Sequence, residues 1–172
     1  MKPIRRIVTG HNTAGSSVFL QDDNNSPTVT RGVTITNLWQ SAKVPVDNAT
    51  DYFDGAVMVE PPETGAIFRL IECPPSPARH MHRTATLDYA MVLEGEIWAI
   101  LDTEERLLRK HDTLIQRGTM HAWQNRSDQP ALLLFVLLDA EALPELPPDL
   151  SSLPPDLSTL PPDLSSLPRG EN

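Results

Sequence analysis

Apolar and polar residues alternate in short runs along most of this chain, and turn-forming residues break the runs at hairpin spacing. Residues 66–72, 89–93, 96–101, 107–110, 113–116 and 131–139 each predict a strand. Glu94-Gly95 and residues 102–105 supply turns between them. Upstream, residues 4–8, 17–20 and 33–38 read as strands, separated by Gly10, by a turn over 22–27 and by Gly32. Residues 40–63 carry Pro45, Pro61 and Pro62 among many Asp and Asn. They predict a covering loop with room for one short helix. Strands this short and this close predict an all-β sandwich or barrel over residues 1–142.

The pattern changes from about Leu143. Pro-Pro-Asp-Leu-Ser-Ser/Thr-Leu occurs three times, at 147–153, 154–160 and 161–167. The leucine spacing is that of a heptad, but each unit holds two prolines, and an internal proline costs a helix about 3 kcal/mol. Residues 143–172 therefore predict a low-complexity, polyproline-like or disordered tail.

The chain has 172 residues and a formal net charge of -9. An acidic balance argues against nucleic acid and anionic membrane as partners. The apolar run at 131–138 is too short to span a bilayer, and the basic N-terminus lacks the apolar stretch of a signal peptide. A soluble, cytoplasmic protein is expected. The single cysteine, Cys73, excludes an intramolecular disulfide and suits a reducing compartment. Beside Pro74-Pro75 it reads as an inert, partly buried thiol.

Candidate chemistry lies in the histidines. His80 and His82 are separated by one residue, and on a strand such positions share a face. His121 follows in a Gly118-Thr119-Met120-His121 turn, and Asp88 lies between. Three imidazoles and a carboxylate suit iron, manganese, zinc, nickel or copper. Asp88 is equally open to reading as a supporting acid. His111 sits in a predicted turn and reads as exposed, and His11, in the N-terminal turn, reads as no ligand.

These residues carry a resemblance. His80-x-His82, then Asp88, then Gly95 after six intervening residues is similar to the first motif of the cupins. Gly118-x-x-His121-x-x-x-Asn125 is similar to the second. The likeness is close over residues 66–140 and general upstream. It departs from the family pattern in several places. The usual acid is a glutamate closer to the histidine pair, Pro74 and Lys110 replace glycines, and Gln116 replaces a proline. The resemblance implies a small single-domain cupin: an RmlC-like jelly-roll barrel, or double-stranded β-helix, followed by the low-complexity tail. It further implies one divalent metal ion on His80, His82, Asp88 and His121. Iron(II) is favoured, with zinc, manganese and nickel open.

Leu87-Asp88-Tyr89, the run from Leu93 to Trp98 and the run from Gln116 to Asn125 narrow the likeness. They resemble short stand-alone cupins described as cupin-domain oxidoreductases of fungal secondary-metabolite pathways, including those making salicylaldehyde-type aromatic polyketides. The implied function is tailoring of a small aromatic or polyketide intermediate. A non-redox zinc or nickel lyase, decarboxylase, cyclase or isomerase stays open, as does a non-catalytic small-molecule-binding barrel. Tyr89, Trp98, Trp123, Arg83 and Arg117 are candidate pocket residues, each equally readable as core or surface. A small-molecule substrate is the expected partner, and an exposed sheet edge leaves a homodimer open.

Overall fold

A computed structural model describes residues 2–30, 32–49, 53 and 58–143. The predicted tail thus lies outside the described residues, apart from Leu143. Among the described residues every regular element is a strand. In chain order they are β1 (Ile4–His11), β2 (Ser17–Asn25), β3 (Thr28–Thr30), β4 (Val33–Ser41), β5 (Ala66–Cys73) and β6 (Thr86–Glu94). Then come β7 (Glu96–Ile100), β8 (Glu105–Arg109), β9 (Thr113–Arg117), β10 (Ala122–Gln124) and β11 (Ala131–Asp139).

All pairings are antiparallel. A six-stranded sheet runs β3-β4-β5-β11-β6-β9, a three-stranded sheet runs β10-β7-β8, and β1 and β2 form a separate hairpin. The two larger sheets bring their apolar faces together in a jelly-roll arrangement. Ile67, Ala90, Val92, Ile97, Ala131, Leu133, Phe135 and Leu137 form the core, with Ile71, Cys73, Leu108, Leu114 and Trp123 packed against it. Alternation explains this set. In β11 the odd-numbered residues from Ala131 to Leu137 are buried and their even-numbered neighbours are half-buried.

The turns follow local chemistry. Gly95 closes the β6–β7 hairpin at φ +73°, and a Cβ there would stand 2.8 Å from the Pro130 carbonyl oxygen. Only glycine avoids both the strain and the clash. Asn125 folds the turn before β11. Its amide nitrogen donates to the carbonyls of Cys73 and Gln129 at 2.9 and 2.7 Å, and its oxygen accepts from the Ser127 backbone and hydroxyl.

Three local expectations are corrected. The predicted turn at 22–27 is mostly strand, because β2 runs to Asn25. Arg5 and Arg6 each make two hydrogen bonds, to Asp22 and Asp23 respectively, and hold those acids in the ladder. The three-residue strands β3 and β10 are absent from the sequence-based reading, since so short a segment carries no period. The described part of residues 42–65 holds no helix. Phe53 from this segment is buried against Trp39, with ring centroids 6.2 Å apart.

Candidate functional site

The site grows from one point of contact. His82 and His121 pair as an isolated antiparallel bridge: the His82 N–H donates to the His121 carbonyl at 2.8 Å, and the His121 N–H returns the bond at 2.9 Å. Their rings lie 4.3 Å apart, centroid to centroid. Gly118, at φ +61°, turns the chain so that His121 reaches this partner.

Both rings are oriented by backbone. His82 Nδ1 lies 3.2 Å from the His80 carbonyl, and His121 Nδ1 lies 2.9 Å from the Thr119 carbonyl. A carbonyl oxygen only accepts, so each Nδ1 carries a proton, and Nε2 is the ring nitrogen left to face a ligand. Such a backbone bond on Nδ1 is the usual support of a metal-binding imidazole. His121 is 3% exposed. Burial pulls its pKa below the ordinary imidazole range, while the Thr119 hydrogen bond opposes this, so the ring is neutral at pH 7.

Asp88 lies on the inner face of β6, between buried Thr86 and Ala90. Burial raises its pKa above the ordinary carboxylate value. A hydrogen bond from Thr86 and the positive fields of His121, Arg69 and His82 pull the other way. One of its oxygens, Oδ1, is buried with no hydrogen-bond partner. Such an atom costs about 1–3 kcal/mol and marks a place for a cation, a donor or a water.

Two residues absent from the sequence-based candidates lie on the same interior face as Asp88. Gln116, where the cupin pattern has proline, is buried and faces Asp88 across the β6–β9 pair. Its side-chain nitrogen bonds the Thr119 hydroxyl, and Thr119 in turn supports His121. Arg69 lies on the inner face of β5 and is 3% exposed. Its nitrogens Nη1 and Nη2 donate to the carbonyls of Val59 and Met58 at 3.1 and 2.6 Å. The signal for Arg69 was available: a charge at the parity of Ile67 and Ile71 within an apolar strand.

The expected histidine pair is not assembled as the alternation argument requires. Residues 74–85 form no strand, and only the bridge at His82 ties them to a ladder. Pro74, Pro75 and Pro77 have no N–H to donate, so β5 stops at Cys73. The His80 side chain is exposed. Among the described residues no three His, Cys, Asp or Glu side chains converge as a metal-holding group. The donors nonetheless fit a divalent ion in kind: two free Nε2 atoms, and a buried carboxylate oxygen close enough to feel both rings.

The aromatic candidates divide. Trp123 faces inward, edge-on to His121 at 6.4 Å and to Phe135 at 5.5 Å. Trp98 faces outward under the Arg126 guanidinium, 4.5 Å from its ring centroid. Tyr89 is 44% exposed on the outer face of β6, in a cross-strand row with Phe68, Val136 and Ile115. Neither Trp98 nor Tyr89 can line the interior, because each alternates with an inward neighbour. Arg83 and Arg117 are both exposed and share a depression of about 390 Å³ beside the turn at Gly118. It is bounded by Thr84, Leu87, Glu141 and Leu143 and includes neither His82 nor His121. His111 is exposed at φ 74°, and His11 ends β1 with its side chain exposed.

Comparison with known proteins decides the family. The cupin-domain-containing oxidoreductase virC of Hypocrea virens is 34% identical over 149 residues, 80% of this chain and 77% of the relative. The chain belongs to the cupin-domain-containing oxidoreductases. A second member, fogC of Aspergillus ruber, is 36% identical over 145 residues, 78% of this chain and 71% of its own. A protein of the phomopsin biosynthesis cluster of Diaporthe leptostromiformis is 31% identical over 150 residues, 80% of this chain and 79% of the relative. No family model matches the chain. Among solved structures, the cupin domain of Schizosaccharomyces pombe Cnp3 superposes with a TM-score of 0.50 at 11% identity. It covers 81% of this chain and 88% of its own, which supports the cupin barrel as the fold. Among the described residues no helix is long and apolar enough to cross a membrane.

Proposed function

We propose that this cupin is a metal-dependent oxidoreductase that tailors a small aromatic or polyketide intermediate. His82 and His121 would hold one divalent ion through Nε2, with His80 and Asp88 completing the set. The observation that carries this reading is the shared preparation of the two rings. Both are bonded through Nδ1 to backbone carbonyls, and both stand within electrostatic reach of the orphaned Asp88 oxygen.

Iron(II) is favoured. An ion there supplies Lewis acidity and, if iron, redox chemistry with O2. The residues of the chain do the rest. Neutral His121 keeps its lone pair available at physiological pH. Gln116 holds Thr119 and so fixes the angle at which His121 enters the interior. Trp123, Phe135 and Ala90 present an apolar wall beneath this polar layer and keep water from the buried end of a substrate. Membership of a family named as oxidoreductases, with a relative in a biosynthetic cluster, supports redox chemistry on a small molecule.

The test is metal content after anaerobic, chelator-free purification, beside His82→Ala. About one iron per chain, lost in the variant, supports the proposal. Stoichiometric zinc or nickel redirects it to lyase or isomerase chemistry. No metal in either protein after reconstitution sinks it.

A further inference from the structure

Among the described residues Arg69 is a buried cation with no anion in contact. It stands between Ile67 and Ile71 on the inner face of β5 and is 3% exposed. Two of its nitrogens are bonded to neutral backbone carbonyls, and Nε, the donor nearest the strand, has no partner. Among the described residues no carboxylate makes an ion pair with it. Asp88 acts only at longer range, because β11 separates β5 from β6 and two strand spacings amount to about 10 Å.

Burial lowers the Arg69 pKa to about 10, which still leaves the guanidinium charged at neutral pH. Keeping a buried charge without a contact partner is costly, and an apolar side chain of similar volume would serve packing better. A guanidinium presents a planar fork of donors that matches a carboxylate. The unpartnered Nε belongs to the interior face shared with Asp88 and Gln116, in the cross-strand row of Phe135 and Ala90.

We propose that Arg69 is the substrate-anchoring residue of the barrel and receives the carboxylate of a small organic acid. This rests on the reading of the interior as the substrate site and adds the chemical class of the substrate. The carboxylate accepts from Nε, and its apolar remainder lies toward Trp123 and Phe135.

The experiment is titration of the full chain with benzoate and with benzamide, its neutral counterpart. Binding is followed by calorimetry and by the arginine Nε–H signals in nitrogen–proton correlation spectra. Arg69→Lys keeps the charge and removes one such signal, which assigns it; Arg69→Gln removes the charge. The expected result is benzoate binding about tenfold or more tighter than benzamide. The assigned Arg69 signal should shift on benzoate addition, and the preference should vanish in Arg69→Gln.

Equal binding of the two probes, no binding of either, or an Arg69 signal unmoved by benzoate would overturn the proposal. Arg69 would then be a clamp on residues 58–59 with no more than a water at Nε. The wild-type comparison needs no variant to fold. None of these readouts depends on metal, so loss of the metal assignment leaves the result interpretable, and the converse also holds.

Discussion

His82 and His121 are joined twice, by a reciprocal pair of backbone hydrogen bonds at 2.8 and 2.9 Å and by rings 4.3 Å apart. Backbone pairing fixes where the two rings start, and the Nδ1 bonds fix which way they turn. Gln116 is the buried support for that second constraint. Replacing it with Leu keeps the volume but frees Thr119. Metal affinity should fall about 10- to 100-fold, while the loss of stability stays below about 2 kcal/mol. Metal titration beside thermal unfolding of Gln116→Leu checks this, and unchanged affinity would remove Gln116 from the site.

Asp88 gives a pH dependence with a definite sign. Its folded pKa is raised, so its contribution to stability is fully present below the ordinary carboxylate pKa and is lost as pH rises through the folded value. At neutral pH the burial of this carboxyl is a net cost to the metal-free fold. Asp88→Asn should therefore raise the melting temperature of metal-free protein by a few degrees at pH 7. The gain should shrink toward pH 4. Melting curves of both proteins across pH, with chelator present, decide it. A variant less stable at pH 7 would show that the Thr86 hydrogen bond and the charge of Arg69 outweigh burial.

Cys73 is expected to be chemically silent. Burial pushes its thiol pKa up to about 12, with Glu72 adding to the shift. Almost no thiolate exists at pH 7.5, and thiolate is the reactive form. A disulfide reagent should label no thiol in native protein within minutes and one thiol per chain in denaturant. Rapid native labelling would contradict the burial.

Two glycines separate strain from clash. Gly118→Ala meets only backbone strain: its Cβ would stand 3.4 Å from the Thr84 carbonyl, an ordinary contact. It should cost about 1–2 kcal/mol. Gly95→Ala adds a 2.8 Å approach to the Pro130 carbonyl and a 3.1 Å approach to the Ala131 backbone. It should cost roughly 2–4 kcal/mol. Chemical denaturation of both variants would test the order, and Gly118→Ala should also weaken metal binding through the displaced His121.

The strands of residues 66–139 were legible because each is a short alternating run between strong turn signals. Strand β11 coincides with its predicted span, and Gly95 and Gly118 occupy the tight turns expected of them. The reading failed where pairing rather than local preference decides. Asp22 to Asn25 look like a turn but form strand, since Arg5 and Arg6 reach across to the acids. His80 and His82 look like neighbours on one strand face but lie in a segment whose prolines cannot enter a ladder. Tyr89 and Trp98 sit close in sequence to motif residues, yet alternation turns both outward.

The sequence by itself determined the all-β class, the order of the main strands and the family, because hydrophobic alternation and motif spacing are local properties of the chain. Tertiary structure alone decided which polar residues meet. Arg69, Asp88, Gln116 and His121 come from β5, β6, β9 and the turn before β10, and the order β5-β11-β6-β9 sets their separation. That order arises from pairing between strands distant in sequence. Parity alone puts Arg69 on the face of Ile67 and Ile71, but which polar residues share that face with it depends on contacts that no local pattern contains.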